Sequence, residues 1–109
     1  MNGPSEMRFT FLACADLKSI WDGIAMSKDP WGLTASDNLA AGQAFATDFV
    51  KHCKVLGANP EIGVDRGELQ FGMRSSTFRN HVIFYRVRGS NVEVIRVLRS
   101  TQDVGSTPW

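Results

Sequence analysis

Long apolar runs are missing from this chain. No stretch approaches the roughly 20 residues that a membrane-spanning helix needs. The first residues also lack the basic, then apolar, then small-residue order of a secretory leader. A cytoplasmic location without membrane attachment is therefore the expectation. A strong charge excess is missing too: twelve basic and eleven acidic residues leave a net charge of +1. Proteins that hold bare nucleic acid usually carry a marked positive excess, so no direct nucleic-acid specificity is expected. Cysteine is scarce, with Cys14 and Cys53 alone and no C-x-x-C, and His52 and His81 do not complete a ligand set at useful spacing. Neither a metal nor another cofactor is expected, and the cysteines read as small reduced hydrophobes. Tyrosine is represented only by Tyr85, and the lysines Lys18, Lys28, Lys51 and Lys54 all fall in the first half.

What is present describes one globular domain. The chain has 109 residues, of which 43% are hydrophobic and 21% charged, enough for a single ordinary core. Residues 1–6, with Asn-Gly-Pro-Ser, have nothing to bury and read as a flexible start. Residues 7–100 carry all the periodic pattern, and 101–109 form a tail with Gly105 and Pro108. Acids such as Asp16, Asp22, Asp29, Asp37 and Asp48 belong to the first half, whereas the arginines concentrate in the second. That asymmetry implies a local basic face.

Met7 to Leu12 alternates Phe9 and Phe11 against Arg8 and Thr10, a strand with one buried side. From about Cys14 to Met26, Leu17, Ile20, Trp21 and Ile24 form one stripe of a helix, and Asp16 near its start suits the positive end of the dipole. Lys28 to Thr34 breaks that helix. Thr34 or Ser36 caps a second one, whose buried side is Leu39, Gly42, Ala46, Phe49, Val50, Cys53 and Leu56. Gly57 reads as its C′ residue, and Pro60 prevents continuation. A loop from Glu61 to Phe71 precedes three strands, Met73 to Phe78, His81 to Arg88 and Asn91 to Arg99, joined by turns at Arg79-Asn80 and Gly89-Ser90. The fold class is α+β: a strand, a helical hairpin and a three-stranded antiparallel meander, with the helices on one face of the sheet. Counting reversals, the first strand runs antiparallel to the first and last strands of the meander. Ile20, Trp21, Phe49, Ile83, Tyr85, Ile95 and Val97 are the expected buried residues.

Strand alternation places Ile83, Tyr85, Val87, Ile95 and Val97 on the helix side, and Val82, Phe84, Arg86, Val94, Arg96 and Leu98 on the other. Both sides are largely apolar, yet two helices cover only one. Either the C-terminal tail folds over the second face or a partner does.

Several phrases together resemble the ParE-type toxins of the RelE/ParE superfamily. They are Ala15-Asp16-Leu17-x-x-Ile20-Trp21, Pro60-x-Ile62-Gly63 followed by Arg66-x-x-Leu69, Gly72-x-Arg74-Ser75, Val82-Ile83-Phe84-Tyr85-Arg86-Val87, and Val94-Ile95-Arg96-Val97-Leu98. The resemblance runs from about Phe9 to Asp103. It implies a toxin of a type II toxin–antitoxin module that stabilises plasmids or chromosomes. It further implies inhibition of DNA gyrase and a replication block, neutralised by a ParD-like antitoxin in a hetero-oligomeric complex. The alternative within the superfamily is a ribosome-dependent mRNA endonuclease of the RelE type.

Fold does not choose between these readings; residues must. An endonuclease needs a base for the 2′-hydroxyl, a cation for the phosphate and an acid for the leaving oxygen. Here the one tyrosine sits mid-strand on the core side, and Ser100-Thr101-Gln102-Asp103 stands where such enzymes often place His or Tyr. No catalytic residue is therefore assigned and the chain is not expected to be an enzyme; His81 and the arginines are what remains for the alternative. Trp21, Arg74, Phe84, Arg86, Val94, Arg96 and Leu98 are the candidates for antitoxin contact. Arg96, Arg99, Ser100, Thr101, Gln102 and Asp103 are the candidates for gyrase contact.

Overall fold

The computed structural model describes residues 6–25 and 35–109. The expected break at Lys28 to Thr34 and the Thr34 or Ser36 cap lie outside the described side chains, as do residues 1–5. Strand β1 spans Glu6–Phe9, helix α1 Phe11–Ala25 and helix α2 Ala35–Ala58. After a short 3-10 turn at Pro60–Ile62 come β2 (Val64–Asp65), β3 (Met73–Phe78), β4 (His81–Arg88) and β5 (Asn91–Arg99). The five strands form one sheet in the order β1-β5-β4-β3-β2. The α+β class, the helical hairpin and the antiparallel meander are all present.

Helix α1 starts three residues earlier than its apolar stripe suggested, because Thr10 caps it. The Thr10 hydroxyl accepts from the Ala13 N–H at 3.1 Å, and its carbonyl accepts from the Cys14 N–H at 3.0 Å. The same hydroxyl donates to the Ile95 carbonyl at 2.7 Å, so one side chain both ends β1 and ties α1 to the sheet. At the other end of the hairpin, Gly57 stays inside the last turn of α2; the helix stops at Asn59 and Pro60 instead.

One expectation is overturned. Strand β1 runs parallel to β5, with Glu6 opposite Asn91 and Phe9 opposite Val94. The reason is the short strand β2, concealed in what read as a structureless loop. It pairs antiparallel with β3 and adds one reversal of chain direction, which inverts the parity of the count.

A second correction concerns β5. Pairing with β4 steps from Phe84 opposite Arg96 to Tyr85 opposite Val94, leaving Ile95 unpaired in a β-bulge. The extra residue exchanges two faces. Val94 packs under the helices, and Ile95 joins the opposite side. The helix-side core comprises Ala13, Phe45, Phe49, Cys53 and Leu56 against Phe78, Ile83, Tyr85, Val92, Val94 and Val97. Phe45 belongs to it, although the helical stripe had assigned neighbouring Ala46, and Ala46 and Val50 are exposed. Phe49, Ile83, Tyr85, Ile95 and Val97 are buried as expected, while Ile20 and Trp21 are half-buried.

The second face is covered by the chain itself. Met73, Phe84, Ile95 and Leu98 form a smaller core with Leu69, Val82, Val104 and Trp109. The Trp109 ring meets the Phe84 ring edge-on at 4.8 Å between centroids, and Thr107 is buried. Of the two covers left open by the sequence, the tail is the one observed.

Candidate functional site

The arginines set the electrostatics of the sheet, and most are consumed internally. Arg96 pairs with Asp16 of α1 through Nε at 2.7 Å and Nη2 at 2.8 Å, and its Nη1 donates to the Pro108 carbonyl at 2.7 Å. The Asp16 carboxylate also accepts from the Val97 N–H at 3.0 Å. Beyond Phe9 there is no further β1 residue to satisfy that donor, so Asp16 closes the edge of β5 where β1 ends. The placement of Asp16 is thus explained by β5 and the tail, not by the helix dipole. The hydrogen-bonded carboxylate holds the Arg96 guanidinium above its ordinary value.

Arg74 donates to the backbone carbonyls of Gly63 at 2.8 Å and Glu61 at 3.4 Å, holding the turn before β2. Arg86 pairs with Glu93 at 2.9 Å and reaches Gln70 at 3.5 Å. Arg66 pairs with Glu68 and lies 5.5 Å over the Phe84 ring. Arg79 occupies the left-handed region at φ 54, bonded to Asp48 and stacked 5.5 Å from both the Phe45 and Phe78 rings.

Among the candidates for antitoxin contact, Phe84, Val94 and Leu98 are 1%, 0% and 2% exposed, so they present no surface while the tail and helices are in place. Their exposure was read from strand alternation with an uncovered second face; the tail and the bulge remove both premises. Trp21 is half-buried, its indole packed on α2 at Gly42, where a Cβ would come within 2.9 Å of Nε1. That contact explains why α2 carries glycine at this point of closest approach. The large apolar side chains that do reach solvent are others, including Phe11, Ile62, Val64, Phe71 and Val87. The sequence read Phe11 and Val87 as facing the core; instead β1 ends at Phe9, so Phe11 opens α1, and Val87 is the last residue but one of β4, while Ile62, Val64 and Phe71 fall in what read as a loop.

Tyr85 is fully buried, and its hydroxyl donates to the Pro60 carbonyl at 2.7 Å. Burial pushes the phenol above its ordinary value. Gly63 lies against it so closely that a Cβ there would come 2.1 Å from the hydroxyl oxygen. The one tyrosine is therefore a bolt between β4 and the turn after α2, out of reach of any substrate. Cys53 is likewise buried, its thiol pushed up to about 11 by burial.

The gyrase candidates divide. Arg96 is locked as described. Arg99 ends β5 directly opposite His81, and Ser100 to Asp103 form an exposed turn. The Asp103 carboxylate accepts from the Gly105 N–H at 2.9 Å and the Ser106 hydroxyl at 3.0 Å, which closes the turn that leads into the tail. His81 packs edge-on to Phe45 at 6.0 Å. Its Nδ1 is buried without a partner, and burial, then Arg99, holds the imidazole below its ordinary value.

A strand, a helical hairpin and a mixed sheet of this order define the RelE/ParE class of small toxins. A solved structure titled "Chromosomal ParDE TA system from P. aeruginosa" shares the fold with a TM-score of 0.64 and 24% identity, over 88% of this chain and 96% of that one. Sequence comparison identifies the family. The family described as "ParE toxin of type II toxin-antitoxin system, parDE" matches residues 7–104. Toxin ParE1 of Mycobacterium tuberculosis is 33% identical over 93 residues, 84% of this chain and 86% of that protein. Toxin ParE1 of Caulobacter vibrioides is 30% identical over 96 residues, 88% of this chain and 90% of that protein. The chain belongs to the ParE toxin family of type II toxin–antitoxin systems.

Proposed function

We propose that this ParE-family toxin acts by binding DNA gyrase and blocking replication in the cytoplasm, with no catalytic residue of its own, and that a ParD-like antitoxin neutralises it in a hetero-oligomeric complex. The observation that carries the non-catalytic reading is the state of the residues an endonuclease would need. Tyr85 is sealed in the core, and Arg66, Arg74, Arg79, Arg86 and Arg96 are each bonded within the chain. General acid–base work requires groups free to reach a substrate proton.

Antitoxin contact is assigned to Trp21, Arg74 and Arg86, which are half-buried and reach solvent. Phe84 and Leu98 are buried beneath the tail, Val94 is buried beneath the helices, and Arg96 is tied to Asp16, so these four are left out of the proposed contact. Gyrase contact is assigned to Arg99 and the exposed turn Ser100, Thr101, Gln102 and Asp103, with Arg96 holding α1 and the end of the tail beside it through Asp16 and Pro108. Purified gyrase with supercoiled DNA, run beside translating ribosomes, tests the reading: cleaved DNA accumulating with intact mRNA supports it, and mRNA cleavage with unaffected gyrase overturns it.

A further inference from the structure

Among the described residues, no carboxylate or carbonyl engages the Arg99 side chain. It does not stand alone. Its strand partner across the sheet is His81, and the Ser100 N–H bonds the Asn80 carbonyl at 2.9 Å, which draws the β3–β4 turn against the end of β5. Asn80, His81, Arg99, Ser100 and Thr101 line a cleft of ≈ 430 Å³, and none of these lining residues is an acid. A smaller cleft of ≈ 140 Å³ shares His81 and Arg99 and runs toward α1. The acid there is Asp16, and Arg96 already neutralises it. Asp103, the next acid along the chain, is held by its own turn.

We propose that this cleft is a phosphate-binding site. The amide of Asn80, the two hydroxyls, the guanidinium and, once protonated, the imidazole are all donors, and the side chains of Asn80, Arg99, Ser100 and Thr101 have no partner among the described residues. Donors from two strand ends and a turn suit the tetrahedrally arranged oxygens of a phosphate better than the coplanar pair of a carboxylate, for which the guanidinium fork alone suffices. The source is a phosphodiester backbone or a free phosphate compound. Backbone contact carries no sequence information and needs only a local charge, consistent with a net charge of +1.

The test uses the full chain alone, so it succeeds or fails independently of gyrase inhibition. Backbone amides and the His81 ring are followed by NMR at fixed ionic strength while inorganic phosphate, short duplex DNA or an oligoglutamate peptide is added. Saturable shifts at Asn80, His81, Ser100 and Thr101 with phosphate are expected. Tighter saturation by the duplex assigns a nucleic-acid backbone as the source, and saturation by phosphate alone assigns a free phosphate compound. Arg99→Gln, which breaks no internal bond, should weaken phosphate binding about tenfold, whereas Lys54→Gln on exposed α2 should not. No saturation, equal loss in both variants, or preferential binding of oligoglutamate would overturn the proposal.

Discussion

At the scale of single residues, two contacts organise the molecule. Asp16 replaces the missing continuation of β1 and pairs with Arg96, whose side chain is only 11% exposed. Removing one member of such a pair strands the other charge and a strand N–H together. Asp16→Ala should therefore destabilise the fold by about 3 kcal/mol, measured by chemical denaturation. Gly63→Ala should be comparably harmful, about 1–3 kcal/mol, because the new methyl collides with the Tyr85 ring and hydroxyl, which the core and the Pro60 carbonyl hold in place. Pairing it with Tyr85→Phe, which removes the hydroxyl oxygen, should recover part of the loss. A third prediction follows from the histidines. Burial holds both His52 and His81 below their ordinary value of 6.5, so the unfolded chain binds more protons than the folded one under mildly acidic conditions. Stability contributed by keeping these rings neutral is full above 6.5 and declines as pH falls below it. A melting series from pH 8 to about pH 5 should show this fall, and His81→Phe should flatten it.

At the scale of elements, three features that periodicity does not report decide the architecture. The order strand, two helices, three strands was legible because Leu17, Ile20 and Ile24 keep helical spacing and the meander is punctuated at Arg79-Asn80 and Gly89-Ser90. Strand β2 was not legible, since two residues show no alternation, yet it decides the direction of β1. The bulge at Ile95 was not legible either, because an unbroken run from Val92 to Leu98 fits either face until one residue is left unpaired. The tail was the third: Ser100 to Trp109 has little apolar pattern, and only Val104 and Trp109 reach the second core. Of the candidate site, the arginine-bearing strands and the Arg99 turn were visible as types and positions. Which arginines were already spoken for depended on long-range partners, as with Asp16 and Arg96. The tail also carries a prediction. Trp109→Ala should cost about 1–2 kcal/mol through the lost ring contact and partial burial, and should increase binding of an apolar dye as Phe84 becomes accessible. Truncation after Leu98 would remove this cover entirely, so loss of toxicity in that variant would report on folding as well as on the target.

At the scale of the whole molecule, this ParE-family toxin has an apolar core on each face of its sheet. The helices and the tail cover both faces of the sheet, and the contacts proposed above draw on the half-buried Trp21, Arg74 and Arg86 and on the exposed turn after Arg99. The most direct measurement is a gyrase cleavage assay with the purified chain and supercoiled DNA, comparing the natural sequence with Arg99→Gln and with an added ParD-like antitoxin. Cleaved DNA should accumulate with the natural sequence, fall at least severalfold with Arg99→Gln at unchanged folding, and disappear when antitoxin is added. Unimpaired gyrase alongside cleavage of mRNA on translating ribosomes would contradict the account.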